Sequence, residues 1–307
     1  MSTVATTSTG VAHDRELAAA RTANRKSRHR GTFLPTLFMA VCFVYFVLPL
    51  LWLVISSTKT NGSLFSSFGY WFSQPFNLVQ NVRDVFTYNG GVFTRWLLNS
   101  ALYSVVAAGG AAILATLAGY GFAKYEFPGR RGMFGLVLGS IMVPTTALAI
   151  PTYLLFSKIG IVDSPWAIIL PSLVSPFGIY LMRIYAADAV DYSLIESARI
   201  DGATEWRIFR SVAARLLAPG FVTVLLFTLV ATWNNYFLPL VMLNTPSYFP
   251  VTIGLAQWNA SANAGGGSQV LFSIVVTGSL ISIIPLVVAF LFLQRFWQSG
   301  LSTGSVR

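Results

Sequence analysis

Four charged residues, Glu196, Arg199, Asp201 and Glu205, crowd around Gly202 in a chain that is otherwise poor in charge. Carboxylates and a guanidinium in such a cluster suit charge-assisted hydrogen bonds to another surface. Catalytic chemistry finds little to work with. The two histidines, His13 and His29, both lie near the N-terminus, and no nucleophile and base pair is visible in or beside the long apolar runs. There is no Gly-x-x-x-x-Gly-Lys-[Ser/Thr] loop to cradle nucleotide phosphates, no Gly-x-Ser-x-Gly and no His-Glu-x-x-His. The single cysteine, Cys42, excludes an intrachain disulfide and any cysteine-based metal site. The expectation is a chain with no catalytic residue, no metal and no cofactor of its own.

The elements that must carry this cluster belong in a membrane. Hydrophobic residues make up 55% of the 307, and charged residues only 10%, against about 25% in an average soluble domain. Uncharged apolar runs of about 20 residues, long enough to cross a hydrocarbon core, lie near 33–55, 97–123, 133–157, 166–182, 217–243 and 270–293. The predicted fold class is therefore all-α, a polytopic membrane protein with six transmembrane helices. Three regions follow: residues 1–30 as a disordered basic tail, 31–294 as the membrane domain, and 295–307 as a short tail.

The formal net charge of +10 is explained by where the basic residues sit. Sixteen of the twenty flank the spans on one side: before the first span, between Lys124 and Arg131, between Arg183 and Arg215, and after the last span. Lys59, Arg83, Arg95 and Lys158 fall on the other side. The positive-inside rule puts both termini in the cytoplasm, so no nucleic-acid partner is needed to account for the charge. The N-terminal segment carries no short apolar core with a small-residue cleavage site, so it does not read as a cleavable signal peptide.

Within the spans, Ala107, Ala111, Ala115, Gly119 and Ala123 place a small residue at every fourth position, which lets helices approach closely in lipid. Packing inside the same subunit is the expected use. Prolines Pro49, Pro144, Pro151, Pro171, Pro176, Pro239 and Pro285 punctuate the spans or their ends, where kinks are expected. No Asp, Glu, Lys, Arg or His lies inside a span, whereas proton- or cation-coupled carriers normally have them. Energy must come from a partner, or the pathway is passive.

Between Tyr192 and Pro219 the pattern becomes amphipathic. At about 100° per residue, Ile195, Ala198, Gly202, Trp206 and Phe209 fall on one face, bounded by Arg199, Glu205 and Arg210. A helix lying on the bilayer surface would satisfy that stripe. Gly202 argues for something else, since glycine in mid-helix costs about 1 kcal/mol relative to alanine. A break there makes a short helix, a bend and a second helix, which is a protruding knob.

The run Glu196-Ser197-Ala198-Arg199-Ile200-Asp201-Gly202-Ala203 resembles the coupling loop of ABC importer permeases, in which Glu-Ala-Ala is followed after three residues by Gly. The resemblance covers nearly the whole chain after the first 30 residues and is specifically to the smaller permease of maltose-type carbohydrate importers. It rests on Pro49-Leu50-Leu51-Trp52, Ser56-Ser57-Thr58-Lys59, Asn99-Ser100, Gly119-Tyr120-Gly121-Phe122-Ala123, Phe127-Pro128-Gly129-Arg130 and Met142-Val143-Pro144. It continues through Trp233-Asn234-Asn235, Pro239-Leu240, Gln294-Arg295-Phe296 and the segment from Gly300 to Val306. Two departures are Ser197, where the family usually has Ala, and Arg215, where it commonly has Pro.

The resemblance implies a permease that pairs with a second homologous permease in the cytoplasmic (inner) membrane. It further implies an ATPase dimer that uses ATP and Mg, and an extracytoplasmic binding protein that delivers a sugar. On that reading the coupling loop spans about 190–217. Glu196, Ser197, Ala198, Asp201, Gly202 and Ala203 would meet the ATPase or shape the bend, with Trp206 and Phe209 anchoring the knob. Asn99, Tyr103, Thr145, Thr146, Asn234, Asn235 and Tyr236 are the polar candidates for the pathway, although interhelical hydrogen bonds account for them equally well. The segment 244–269 reads as an outer loop, in which Gln257, Trp258 and Asn259 either touch the binding protein or leave Trp258 at headgroup level. A passive channel, a membrane-embedded enzyme, and an ABC permease for amino acids, peptides or phosphate are the competing readings.

Overall fold

The computed structural model describes residues 8–264 and 271–302, with side-chain surroundings described for 33–264 and 271–296. In chain order the α-helices are α1 (Ser8–Ser57), α2 (Asn61–Ser66), α3 (Leu78–Thr87), α4 (Val92–Lys124), α5 (Arg130–Ile141), α6 (Thr145–Ile159), α7 (Trp166–Ser172) and α8 (Pro176–Ala189). They continue as α9 (Tyr192–Ile200), α10 (Glu205–Ile208), α11 (Ala214–Leu216), α12 (Ala218–Trp233), α13 (Phe237–Met242), α14 (Val251–Asn263) and α15 (Leu271–Ser302). No strand occurs among the described residues. Among the described residues, four helical stretches are long and apolar enough to cross a membrane, or six if two bent pairs each count as one span.

Helix α4 is the centre of the bundle, with α8 and α12 packed against it. The small-residue stripe explains how: Ala107, Ala111, Ala115, Gly119 and Ala123 are all buried. A Cβ on Gly119 would lie 2.5 Å from the Met182 Cβ and 2.7 Å from the Arg183 backbone nitrogen. Only glycine permits that approach, so the stripe is used inside the subunit. Buried apolar residues form two clusters, one around Phe93, Trp96, Met242 and Trp258. The second gathers Tyr120, Met182, Ile195, Ile208 and Leu217. Helix α1 lies at the edge against α15 and exposes apolar side chains such as Phe38 and Phe46, as a lipid-facing helix does.

Several expected boundaries are corrected. Helix α1 begins at Ser8, so residues 8–30 continue the helix where a disordered tail was expected. Their run Glu16-Leu17-Ala18-Ala19-Ala20 is made of strong helix formers. The third span is not straight: α5 and α6 meet at 105°, and Pro144 between them leaves the helical region at ψ 127°. The fourth is divided at 173–175, where Ser175 caps α8 by accepting from the Gly178 N–H and Pro176 takes the first helical position. The fifth helix stops at Trp233, and residues 237–242 form the separate α13.

The segment 244–269, expected as a loop, contains the 13-residue helix α14. Trp258 lies within that helix and is buried, 4.8 Å from the Trp96 ring and stacked on Phe93 at 5.8 Å. It is a core residue, neither a headgroup-level indole nor an exposed contact, while Gln257 and Asn259 on either side are exposed. The indole is simply large enough to fill the space between α4 and α14. The glycines at 265–267 and the end of the C-terminal tail, 303–307, lie outside the described residues.

Candidate coupling site and pathway

The protruding segment is built by three backbone devices. Asp191 caps α9, its carboxylate accepting from the Ser193 N–H at 3.0 Å. At the other end Gly202 adopts φ +76°, the left-handed region that L side chains rarely enter. The Ala203 N–H donates to the Ala198 carbonyl and the Gly202 N–H to the Arg199 carbonyl, each at 3.0 Å. Those two bonds are a Schellman stop, which ends α9 and turns the chain back. Thr204 then caps α10 by accepting from the Arg207 N–H.

Side chains brace the turn. The Arg199 Nε donates to Glu205 Oε1 at 2.7 Å across the bend. Glu205 Oε2 accepts from the Tyr125 hydroxyl at 2.7 Å, which ties the segment to the end of α4. Burial raises the Tyr125 phenol well above its ordinary value, and the bond to Glu205 raises it further, so Tyr125 stays a donor at physiological pH. Tyr192 donates to the Ala123 carbonyl, and Lys124 sits 4.4 Å from the Tyr192 ring centre. After α10 the helix widens to a π turn at Phe209–Ala213, a form found mostly as short bulges, frequently at functional sites. It then bends 74° into α12 near Leu217, with Arg215 exposed just before.

Ile195, on the apolar stripe, is buried, and of the expected coupling residues Ala198, Ala203 and Phe209 are half-buried. Phe209 packs on Tyr120 at 5.2 Å and so fastens the segment to α4. Trp206 differs from the expected anchor: it is 64% exposed and stacks only on Phe209. Glu196, Ser197, Asp201 and Gly202 are exposed. Ile200, 86% exposed at the tip, was not singled out in the sequence. Nor were the brace residues Tyr125, Arg199 and Glu205 assigned that role. The six-residue spacing of Arg199 and Glu205 across a glycine was the available signal.

The polar pathway candidates separate into two groups. Asn99 donates to the Ser247 and Phe249 carbonyls at 2.8 and 3.0 Å, and Tyr103 donates to the Tyr248 carbonyl at 2.8 Å. With Trp96 on the Pro246 carbonyl and Ser100 accepting from the Val251 N–H, they strap residues 246–251 to α4. Thr145, Thr146, Asn234 and Tyr236 are instead exposed, at the breaks that begin α6 and end α12. Asn235 caps the following turn by accepting from the Leu238 N–H.

These features define an all-helical polytopic membrane subunit with a rigid polar knob at one end. The chain belongs to the family of binding-protein-dependent transport system inner membrane components, whose model matches residues 111–301. It is similar to the arabinooligosaccharides transport system permease protein AraQ of Bacillus subtilis, 30% identical and covering 89% of this chain and 94% of the relative. It is also similar to the trehalose transport system permease protein SugB of Mycobacterium tuberculosis, 29% identical over 86% and 93% of the two chains. A solved structure of a bacterial ABC transporter that imports the acidic polysaccharide alginate shares the fold. Its TM-score is 0.77 at 20% identity, covering 89% of this chain and 98% of that one. The protein is thus a membrane permease subunit of the ABC importer type, a transport component and not an enzyme. Such a subunit works with an ATPase and a substrate-binding protein.

Proposed function

We propose that this permease takes up a neutral sugar or oligosaccharide, with ATP and Mg used by the partner ATPase. The relatives named for arabinooligosaccharides, trehalose and galactooligosaccharides support that substrate class. So do the uncharged spans, which provide no fixed charge to select an ionic solute. A second homologous permease completes the pathway. Thr145, Thr146, Asn234, Asn235 and Tyr236 line it at the helix breaks, and both termini lie in the cytoplasm.

The observation that carries the coupling role is the Schellman stop at Gly202, braced by Arg199, Glu205 and Tyr125. A surface-adsorbed helix gains nothing from a fixed bend, whereas a lever does. Moving a two-state population from 1:99 to 99:1 requires about 5.5 kcal/mol of differential binding. The lever must therefore be stiff enough to pass on what nucleotide-driven closure of the ATPases supplies. Exposed Ile200, Trp206 and Glu196 form its contact face, and Phe209 on Tyr120 passes the force to α4.

The deciding experiment is uptake in cells lacking this chain, complemented by the wild-type or altered protein. Radiolabelled trehalose, arabinooligosaccharides and galactooligosaccharides are compared with amino acids and phosphate. Restored uptake of a sugar alone supports the substrate class, and restored uptake of an ionic solute overturns it.

A further inference from the structure

We infer that residues 65–76, between α2 and α3, form an aromatic surface that beds into the lipid–water interface of the bilayer beside the end of α1. Phe65, Phe68, Tyr70, Trp71, Phe72 and Phe76 are all exposed, Phe65 and Trp71 at 70% and Phe68 at 74%. The rings are neighbours: Phe68 lies 6.3 Å from Tyr70, Trp71 6.2 Å from Phe72, and Phe72 6.4 Å from Phe76. An exposed aromatic patch of this kind marks a membrane or protein interaction surface.

Charge is absent from the patch by construction. No Asp, Glu, Lys, Arg or His occurs from Thr60 to Val82. The cation just before that stretch, Lys59, is turned inward and only 1% exposed. Its Nζ donates to Ser67 Oγ at 2.9 Å and to the Phe68 carbonyl at 2.7 Å, which holds the segment against the end of α1. The ammonium is thus used inside the fold, and the outer surface of the segment stays neutral and aromatic.

Depth selects the bilayer as the occupant. The membrane-crossing part of α1, residues 33–57, is about 37 Å long, against about 30 Å of hydrocarbon. Its last turns therefore reach the headgroup region. Trp52 lies about 7 Å before that end, and helix side chains lean toward the N-terminus, here the membrane interior. A Cβ on Gly69 would fall 3.4 Å from Trp52 Nε1, so the segment folds back to that level. On the other side the Phe65 ring stands edge-on to Phe272, the second residue of α15, at 5.0 Å. The rings lie level with the boundary turns of two spans, where a soluble partner has to reach past headgroups and lipid is already present. Trp and Tyr favour that level because an apolar ring body and a polar tip suit its two sides. The outer leaflet follows from the orientation proposed above, whereas the depth does not rest on it.

The test uses the importer purified with its co-purifying subunits and reconstituted into phosphatidylcholine nanodiscs. In a Cys42→Ser background, Phe68→Cys and Trp71→Cys are labelled with the environment-sensitive dye NBD. A complex carrying Cys42→Ser alone gives the background from the other subunits. The quenchers are phosphatidylcholine with a nitroxide near the glycerol, the same lipid with a nitroxide near the chain end, and aqueous iodide. NBD-cysteine in buffer is the aqueous reference. The shallow nitroxide is expected to remove most of the emission at both positions, the deep nitroxide less, and iodide far less than from the free dye. Iodide quenching equal to that of the free dye would put the rings in water and overturn the inference. Shielding from iodide without quenching by either lipid would mean that a protein, such as a second permease, covers the patch, and would overturn it equally. Stronger quenching by the deep nitroxide would make the segment a re-entrant one and sink the interfacial reading. Sugar uptake is a separate readout, so the transport proposal stands or falls independently.

Discussion

The Arg199 guanidinium lies 2.7 Å from the Glu205 carboxylate, spanning the left-handed turn at Gly202 and closing it like a clasp. Both side chains are about half exposed, at 47% and 48%. A pair in that setting is screened by solvent and adds little to stability. Its importance is geometric, because the same carboxylate also receives the Tyr125 hydroxyl from the end of α4. Glu205→Ala is therefore expected to leave the unfolding transition of the purified permease nearly unchanged while lowering ATP-driven uptake. Tyr125→Phe should cause a smaller loss of the same kind. Thermal unfolding and uptake measured on the same preparations check this, and a parallel fall in both would mean the clasp only stabilises the fold.

Gly202 and Gly119 are each required for a different reason, and substitution separates them. A Cβ at Gly202 meets no atom within 4 Å, so Gly202→Ala costs only the left-handed backbone, about 1–2 kcal/mol. Uptake should fall and membrane insertion should be normal; Gly202→Leu and Glu196→Lys should abolish uptake and loosen the ATPase. At Gly119 the new Cβ would fall 2.5 Å from Met182. Gly119→Leu should therefore prevent a folded permease from accumulating, which protease resistance in membranes would reveal.

Trp258 is predicted to matter for the fold. Removing an indole packed between Phe93 and Trp96 costs about 3–5 kcal/mol, so Trp258→Ala should lower the unfolding temperature sharply. Gln257→Ala and Asn259→Ala, on the exposed side of the same helix, should leave it unchanged. Differential scanning fluorimetry on the three variants decides the matter.

Asp163 gives the connection after α13 a pH dependence. Its Oδ1 accepts from the Asn244 and Thr245 N–H groups at 2.8 and 2.9 Å, and its Oδ2 from the Thr245 hydroxyl at 2.6 Å. Those bonds, the Thr245 hydroxyl first, hold its carboxyl below the usual range. A depressed folded value means the stabilisation is present above the unfolded value near 3.9 and is lost as pH falls through the folded one. Amide exchange at residues 244–249 should accelerate below about pH 4 in the wild type. In Asp163→Asn that acid-dependent component should be missing.

Sequence reading succeeded where a single helix carries its own signal. Six apolar runs, the small-residue face of α4 and the break at Gly202 each depend on neighbours within a few residues. It failed where a distant partner decides. The amides and indole at 257–259 resembled a loop surface because the ring that buries Trp258 comes from Trp96, 162 positions earlier in the chain. For Asn99 and Tyr103 the sequence left a pathway role and interhelical hydrogen bonds equally open, because their acceptors, the carbonyls of 247–249, lie far along the chain. The 105° bend at Pro144 was marked by the proline, but the packing of α6 against α13 beyond it is encoded in no local pattern.

Orientation is the last prediction, and it follows from the basic residues that flank the spans. Sixteen of twenty lie on the side that carries the knob, so that side should face the cytoplasm. Cys42 is the chain's one thiol, and a Cys42→Ser background allows a cysteine to be placed at exposed Ile200 or at exposed Asn259. In intact cells a membrane-impermeant maleimide should label Asn259→Cys and spare Ile200→Cys until the membrane is opened. Labelling of both positions before opening would rule out an odd number of crossings between them, and with it the fifth span through α12. Labelling of Ile200→Cys alone would invert the topology and remove the knob from the reach of any cytoplasmic ATPase.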